Sequence, residues 1–308
     1  MNFIILSKGS HKMKRIVFKG SGVALVTPFT NENKVNFNVL EELIEMHIEK
    51  GTDALIVCGT TGEASTLCDD EQEEIISFAV KCVNSRIPVI AGAGSNNTKN
   101  VITKVKRAQN AGADAILSVT PFYNKANETG IVEHYTKIAE SVSLPVIIYN
   151  VPARTGMNIS IKALLELSKI DNIVAVKEAS GNMSYACEIA AKVPDLGLYS
   201  GNDDITVPMM SIGGLGVISV GANILPEEFH KMCNQMQEGS YSNAARIQKR
   251  IQPVLKMLFC EVNPIPVKNA MNRLGFGVGN TRLPLGKMDD ALLDELMAEI
   301  YKLQIDLQ

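Results

Sequence analysis

The feature that most constrains this fold is an internal repeat. The segment Gly51-Thr52-Asp53-Ala54-Leu55-Ile56-Val57-Cys58-Gly59-Thr60 resembles Gly112-Ala113-Asp114-Ala115-Ile116-Leu117-Ser118-Val119-Thr120. Each follows a helical pattern that ends in glycine, the residue suited to the left-handed position just past a helix. Ile87-Pro88-Val89-Ile90-Ala91-Gly92 resembles Leu144-Pro145-Val146-Ile147-Ile148-Tyr149 in the same way. Proline cannot donate to a sheet ladder and is tolerated at the start of a strand. A β-α-β-α unit therefore occurs twice. Extending the count predicts eight strands, near Val23–Val26, Ala54–Val57, Val89–Ala91, Ala115–Ser118, Val146–Tyr149, Ile173–Lys177, Gly197–Ser200 and Val217–Val220. Helical patterns separate them, among them Asp69–Val83 with its acidic first turn and Thr98–Asn110 with Thr98 as N-cap. Eight strands alternating with helices predict an α/β fold, a (β/α)₈ TIM barrel. A doubly wound open sheet is the competing arrangement, but its G-x-G-x-x-G signature after the first strand is missing.

Beyond about Pro226 the pattern turns helical only: Glu227–Gln237, Asn243–Phe259, Pro264–Leu274 and Asp289–Leu307, with Arg282–Leu285 as an extended linker before the last. The expected organisation is an N-terminal extension or leader over 1–15, with Met13 as an alternative start, a barrel over 16–225 and an additional C-terminal helical domain over 226–308. The chain has 308 residues, 46% hydrophobic and 20% charged, enough to bury a full core. A net charge of −3 offers no general attraction for nucleic acid or an anionic membrane. Its apolar runs are too short to span a bilayer. Six cysteines without C-x-x-C read as small buried hydrophobes in a reducing, cytoplasmic setting. The histidines show no metal-ligand spacing, so no metal site is expected.

Function in such a barrel sits at the C-terminal ends of the strands. The run Ile173-Val174-Ala175-Val176-Lys177 places a lysine there. Desolvation disfavours the charged amine, and a neutral amine can form a Schiff base with a carbonyl. The other strand ends carry Gly59-Thr60-Thr61-Gly62-Glu63, Thr120-Pro121-Phe122-Tyr123-Asn124, Tyr149-Asn150-Val151-Pro152-Ala153-Arg154, Ser200-Gly201-Asn202-Asp203 and Ile218. Schiff-base chemistry needs a deprotonated amine, a proton shuttle and a seat for an anionic group. Lys177, Tyr149 and Thr60/Thr61 can supply these in that order, and Arg154 can grip a second carboxylate. Each also has an ordinary structural reading: a strand-end lysine reaching solvent or an ion pair, a core tyrosine, a surface arginine, a plain strand-to-helix turn. Asn202-Asp203-Asp204 hints at a metal-dependent aldolase but reads better as a helix cap. Ser211-Ile212-Gly213-Gly214-Leu215-Gly216 resembles a phosphate loop, yet it precedes the eighth strand and so falls at the opposite rim.

Three motifs resemble the dihydrodipicolinate synthase family in order and spacing: Gly59-Thr60-Thr61-Gly62-Glu63, Tyr149-Asn150-Val151-Pro152-Ala153-Arg154-Thr155-Gly156 and Val176-Lys177-Glu178-Ala179-Ser180-Gly181-Asn182. The resemblance runs from about Phe18 to the C-terminus. It implies that Lys177 forms an imine with pyruvate, and that the derived enamine adds to L-aspartate 4-semialdehyde in lysine and diaminopimelate biosynthesis. It also implies a proton relay through Tyr149, Thr60 and Tyr123, the last donated across a dimer interface. Thr61 would hold the pyruvate carboxylate and Arg154 that of the semialdehyde, while Gly201 and Ile218 would line the pocket through backbone carbonyls. No metal or organic cofactor is implied, and the favoured assembly is a homotetramer of two tight dimers. The nearest alternatives, N-acetylneuraminate lyase and 2-keto-3-deoxy sugar-acid aldolases, share the barrel and the lysine. The lyase usually shows Ser-Thr at Thr60-Thr61 and lacks the Glu-Ala-Ser-Gly-Asn run. A non-catalytic scaffold barrel is a reading of another class, and an intact Lys177 with its relay argues against it. One departure concerns feedback. Family members inhibited by lysine carry a glutamate and a tyrosine at an interface pocket, where this chain aligns Asn100 and Phe122 beside Ala64, Ser65, Asp69, Gln72 and Asn96. A lysine ligand loses a charge partner and a hydroxyl donor there. Feedback inhibition is expected to be weak or absent; half-maximal inhibition by sub-millimolar L-lysine would contradict this.

Overall fold

The computed structural model describes residues 14–306, so most of the predicted leader lies outside the described residues. Eight parallel strands close into a barrel in chain order: β1 (Gly20–Ala24), β2 (Ala54–Val57), β3 (Val89–Gly92), β4 (Ala115–Val119), β5 (Val146–Asn150), β6 (Ile173–Glu178), β7 (Gly197–Ser200) and β8 (Gly216–Ser219). Between them run α1 (Phe37–Glu49), α2 (Asp69–Val83), α3 (Thr98–Asn110), α4 (Glu128–Glu140), α5 (Pro152–Thr155), α6 (Ile161–Leu167), α7 (Met183–Lys192) and α8 (Thr206–Ser211). After β8 come α9 (Pro226–Gln237), α10 (Tyr241–Met257), α11 (Ile265–Arg273) and α12 (Asp290–Asp306). The (β/α)₈ barrel with added C-terminal helices is thus as expected. Helix α9 packs on β1 and completes the ring, while α10 packs on α9, α8 and α12.

Strand alternation divides the barrel into two cores. Ile56, Ile90, Leu117, Ile147, Ala175, Tyr199 and Ile218 point inward. Leu55, Val57, Val89, Ile116, Ile148 and Val176 point outward under the helices. Strands apolar on both faces read as continuous runs, which is why they are visible in sequence. The N-terminal mouth is plugged by Phe18 stacked on Tyr199 at 4.5 Å, with the Tyr199 hydroxyl donating to the Phe18 carbonyl at 2.6 Å.

Four details differ from the sequence reading. Strand β1 begins at Gly20, ahead of the predicted Val23. A Cβ on Gly22 would lie 2.8 Å from the Phe18 ring, and one on Gly216 would lie 1.9 Å from the Gly20 carbonyl oxygen. Close approach at the plugged mouth therefore demands glycines, which apolar patterning does not register. Helix α3 is capped by Asn97, whose side chain accepts from the N–H groups of Lys99 and Asn100; Thr98 lies inside the first turn. Arg282–Leu285 closes a turn, with Leu285 N–H donating to the Arg282 carbonyl at 3.1 Å. The cysteines are mixed: Cys58 and Cys233 are buried, Cys68 and Cys187 exposed. Cys68 is exposed because it serves as the N-cap of α2, in a capping box with Glu71.

Candidate active site

Strands β5 and β6 pair with Tyr149 opposite Lys177 and Asn150 opposite Glu178. Alternation sends the first pair into the barrel mouth and the second outward. Outside, Asn150 Nδ2 donates to Glu178 Oε2 at 2.6 Å, and Ser180 N–H donates to Glu178 Oε1 at 2.6 Å. That outer rung fixes the register that sets Lys177 beside Tyr149. Inside, Lys177 is 5% exposed and its Nζ sits 4.4 Å from the Tyr149 ring centroid. Burial lowers the Lys177 pKa to about 8; Asp203 pulls it up and Arg154 pushes it further down. A residue on Gly201 would meet this side chain, since its Cβ would lie 3.1 Å from Lys177 Cε.

Tyr149 is also buried, and desolvation raises its pKa against the opposing influence of Arg154 and a hydrogen bond with the Thr60 side chain. The hydroxyl therefore stays protonated at neutral pH and is already connected to Thr60. Thr60 and Thr61 occupy the turn after β2, where Glu63 N–H donates to the Thr60 carbonyl at 3.1 Å. Thr61 is buried, and its Oγ1 accepts from Asn263 Nδ2 at 3.0 Å. That acceptance leaves the Thr61 hydroxyl proton free to be donated elsewhere. The Asn263 carbonyl accepts from Arg154 Nη2 at 3.1 Å, so one residue ties both anion-binding candidates together.

Asn263 and Asp203 are the residues that the sequence reading missed. Asn263 precedes a proline-led helix and lies 202 residues from Thr61 in the chain, so no local pattern announces it. Asp203, expected to cap a helix, turns inward instead. Its Oδ2 accepts from Gly221 N–H at 2.6 Å and Val220 N–H at 3.1 Å, pinning the turn after β8. Burial pushes its pKa up to about 6. The Ser211–Gly216 segment leads into the start of β8 and, as expected, lies at the N-terminal rim. Of the predicted residues, Lys177, Tyr149, Thr60, Arg154 and Gly201 come together, with Thr61 joined to Arg154 through Asn263; Ile218 lies fully buried in the inner core of the barrel. Tyr123 stands apart: it is 89% exposed, with a left-handed φ of 70°.

Known proteins resemble this chain over most of its length. Residues 17–303 match the Dihydrodipicolinate synthetase family. A 4-hydroxy-tetrahydrodipicolinate synthase of Caldicellulosiruptor saccharolyticus is 54% identical over 274 residues, which are 89% of this chain and 93% of the relative. A dihydrodipicolinate synthase from Aquifex aeolicus superposes with a TM-score of 0.91 at 42% identity, covering 93% of this chain and 98% of the other. A chloride-inhibited dihydrodipicolinate synthase of Acinetobacter baumannii, solved in complex with pyruvate, gives 0.91 at 40% identity over 93% and 99%.

Proposed function

The chain belongs to the dihydrodipicolinate synthetase family, and on that premise we infer that it condenses pyruvate with L-aspartate 4-semialdehyde to 4-hydroxy-tetrahydrodipicolinate, a step of lysine and diaminopimelate biosynthesis. The observation that carries this reading is the buried Lys177 amine over the ring of Tyr149, whose hydroxyl burial keeps protonated. The neutral amine attacks the pyruvate keto carbon. The resulting carbinolamine loses water, with Tyr149 and Thr60 passing the required proton. Loss of a methyl proton from the imine gives an enamine. Its terminal carbon then bonds to the aldehyde carbon of the semialdehyde. Attack by the semialdehyde's amino group on the imine carbon closes the ring and releases Lys177. The Thr61 hydroxyl, its acceptor side taken by Asn263, donates to the pyruvate carboxylate. Arg154 holds the carboxylate of the semialdehyde, and Gly201 and Ile218 line the pocket. The arrangement works without a metal or organic cofactor.

Two measurements test the reading. Borohydride with pyruvate should leave a mass adduct on Lys177. A coupled assay offering aspartate semialdehyde, N-acetylmannosamine or glyceraldehyde should show turnover with the first; preference for either sugar-derived acceptor would overturn it.

The exposed, left-handed Tyr123 is read as the third member of the relay, acting in the site of a neighbouring subunit in a tight dimer, two of which form the tetramer. Mixing a Tyr123→Phe protein with a Lys177→Ala protein should restore part of the activity through hybrid dimers. No recovery after verified subunit exchange would reject the shared site. The expected indifference to L-lysine has added support, because Lys104 Nζ already donates to Asp69 Oδ1 at 2.7 Å and Gln72 Oε1 at 2.8 Å. No helix among the described residues is long and apolar enough to cross a membrane; a cytoplasmic location is proposed from the biosynthetic role inferred above. Residues 226–308 are read as a helical unit beside the barrel over 16–225, its first helix α9 closing the ring against β1 and the later helices extending it.

A further inference from the structure

The turn that carries Thr60 and Thr61 is bounded by two non-glycine residues in the left-handed region, Cys58 at φ 54° and Glu63 at φ 56°. Such conformations cost of order 1 kcal/mol or more each and persist only where their surroundings hold them. What holds Glu63 comes from the far end of the chain. Its side chain is fully buried, as is that of Lys268 on α11. Lys268 Nζ donates to Glu63 Oε1 at 2.8 Å, to the Asn280 carbonyl at 2.9 Å and to the Thr27 carbonyl at 3.0 Å, which uses all three of its protons. The other carboxylate oxygen, Oε2, accepts from Arg282 N–H at 2.8 Å. Thr27 returns to the same turn, its hydroxyl donating to the Gly62 carbonyl at 2.7 Å. The Phe29 ring supports both cations, with Lys268 Nζ at 4.3 Å and the Arg282 guanidinium carbon at 4.2 Å from its centroid.

A buried ion pair is often no more stabilising than a well-packed apolar pair of the same size. Its distinctive contribution is direction: the carboxylate has to meet fixed donors at both oxygens. We propose that the Glu63–Lys268 pair is a strut by which α11 sets the position of Thr60 and Thr61, making Glu63 and Lys268 positioning residues for pyruvate. This rests on the function proposed above and adds to it a role for the C-terminal helices. Helix α11 holds the turn twice: Asn263, just before it, meets the Thr61 hydroxyl, and Lys268, within it, meets Glu63. Neither Glu63 nor Lys268 is required to touch substrate. Their effect reaches the reaction through the placement of two hydroxyls, and a displacement near 1 Å at such a site can cost about a hundredfold.

Three variants test the strut: Lys268→Met, Glu63→Gln, and the two together. Lys268→Met leaves an unpaired buried carboxylate and should lower Tm. The double variant, which leaves neither buried charge, should recover much of that loss. All three should raise the KM for pyruvate by about tenfold or more. The KM for the semialdehyde, whose carboxylate is assigned to Arg154, should change much less, and borohydride trapping of Lys177 should return towards the parental level at saturating pyruvate. Should Lys268→Met not accumulate as folded protein, Glu63→Gln, which keeps size and one acceptor oxygen, carries the same kinetic comparison. A double variant with recovered Tm and a pyruvate KM within about twofold of the parent would reduce the pair to a structural feature. The functional reading fails separately: in that case the parent protein itself would give no adduct with pyruvate.

Discussion

Replacing Lys177 with methionine is expected to lower turnover by roughly 10⁴-fold or more, remove the pyruvate adduct, and raise the unfolding temperature of the protein. The first two effects follow because methionine removes the amine proposed to form the imine. The third follows from the pKa. In the unfolded chain this amine has an ordinary pKa near 10.5, and in the folded protein burial lowers it to about 8. Below about pH 8 the folded protein must hold a charge that its surroundings disfavour, and that penalty is present in full. It shrinks as pH rises from 8 and vanishes above about 10.5. The difference corresponds to about 3 kcal/mol at neutral pH, or several degrees in Tm. Some of the gain is lost because Asp203 gives up a favourable neighbour. Methionine keeps the stem packed while removing the charge. The stabilisation should therefore be largest at neutral pH and fade in alkaline buffer. The same pKa raises the neutral fraction at pH 7 by on the order of 300-fold over an unperturbed lysine. In the parent, the rate of imine formation should rise with pH and level off above about 8. A Lys177→Met protein that is less stable than the parent at pH 7 would show that burial is not what depresses the amine.

The chain reveals its barrel and its candidate nucleophile for one physical reason. Strands such as Ile173–Glu178 are covered on both faces, so they stand out as apolar runs, and a lysine at the end of one is conspicuous. Tyr149, Thr60, Thr61 and Arg154 stand out as candidates because strand ends and their turns define the mouth of such a barrel. What stayed hidden depends on contacts between distant segments. Glu63 and Lys268 are 205 residues apart and look like surface charges in the linear chain, yet both are buried. Asn263 looks like the lead-in to a helix. Asp203 looks like a cap, because side chains near helix starts usually serve there, but the turn after β8 offers two backbone donors that a short α8 does not match. Strand β1 was misplaced because its first residues are chosen for closeness of approach, not for apolarity.

Replacing Tyr149 with phenylalanine should cost about 10²–10⁴-fold in kcat with little change in stability or in the KM for pyruvate. The ring fills the same space and keeps its place under the Lys177 amine, so the environment that lowers the amine's pKa is retained. Only the hydroxyl is lost, and with it the hydrogen bond to Thr60. Because burial keeps that hydroxyl protonated, it can give a proton to the departing carbinolamine oxygen and take one back through Thr60. Without it, water loss from the carbinolamine becomes slow, so the borohydride adduct should still form but over a longer time. The pH midpoint of imine formation should stay near 8, because the amine is unchanged. Thr60→Val should produce a loss of similar size. The double variant should be little worse than either single one, since two members of one relay fail together and their costs do not add. Additive losses would mean that Tyr149 and Thr60 act separately. A loss below about threefold for Tyr149→Phe would leave this tyrosine a packing residue, and the proton for dehydration would have to come from elsewhere.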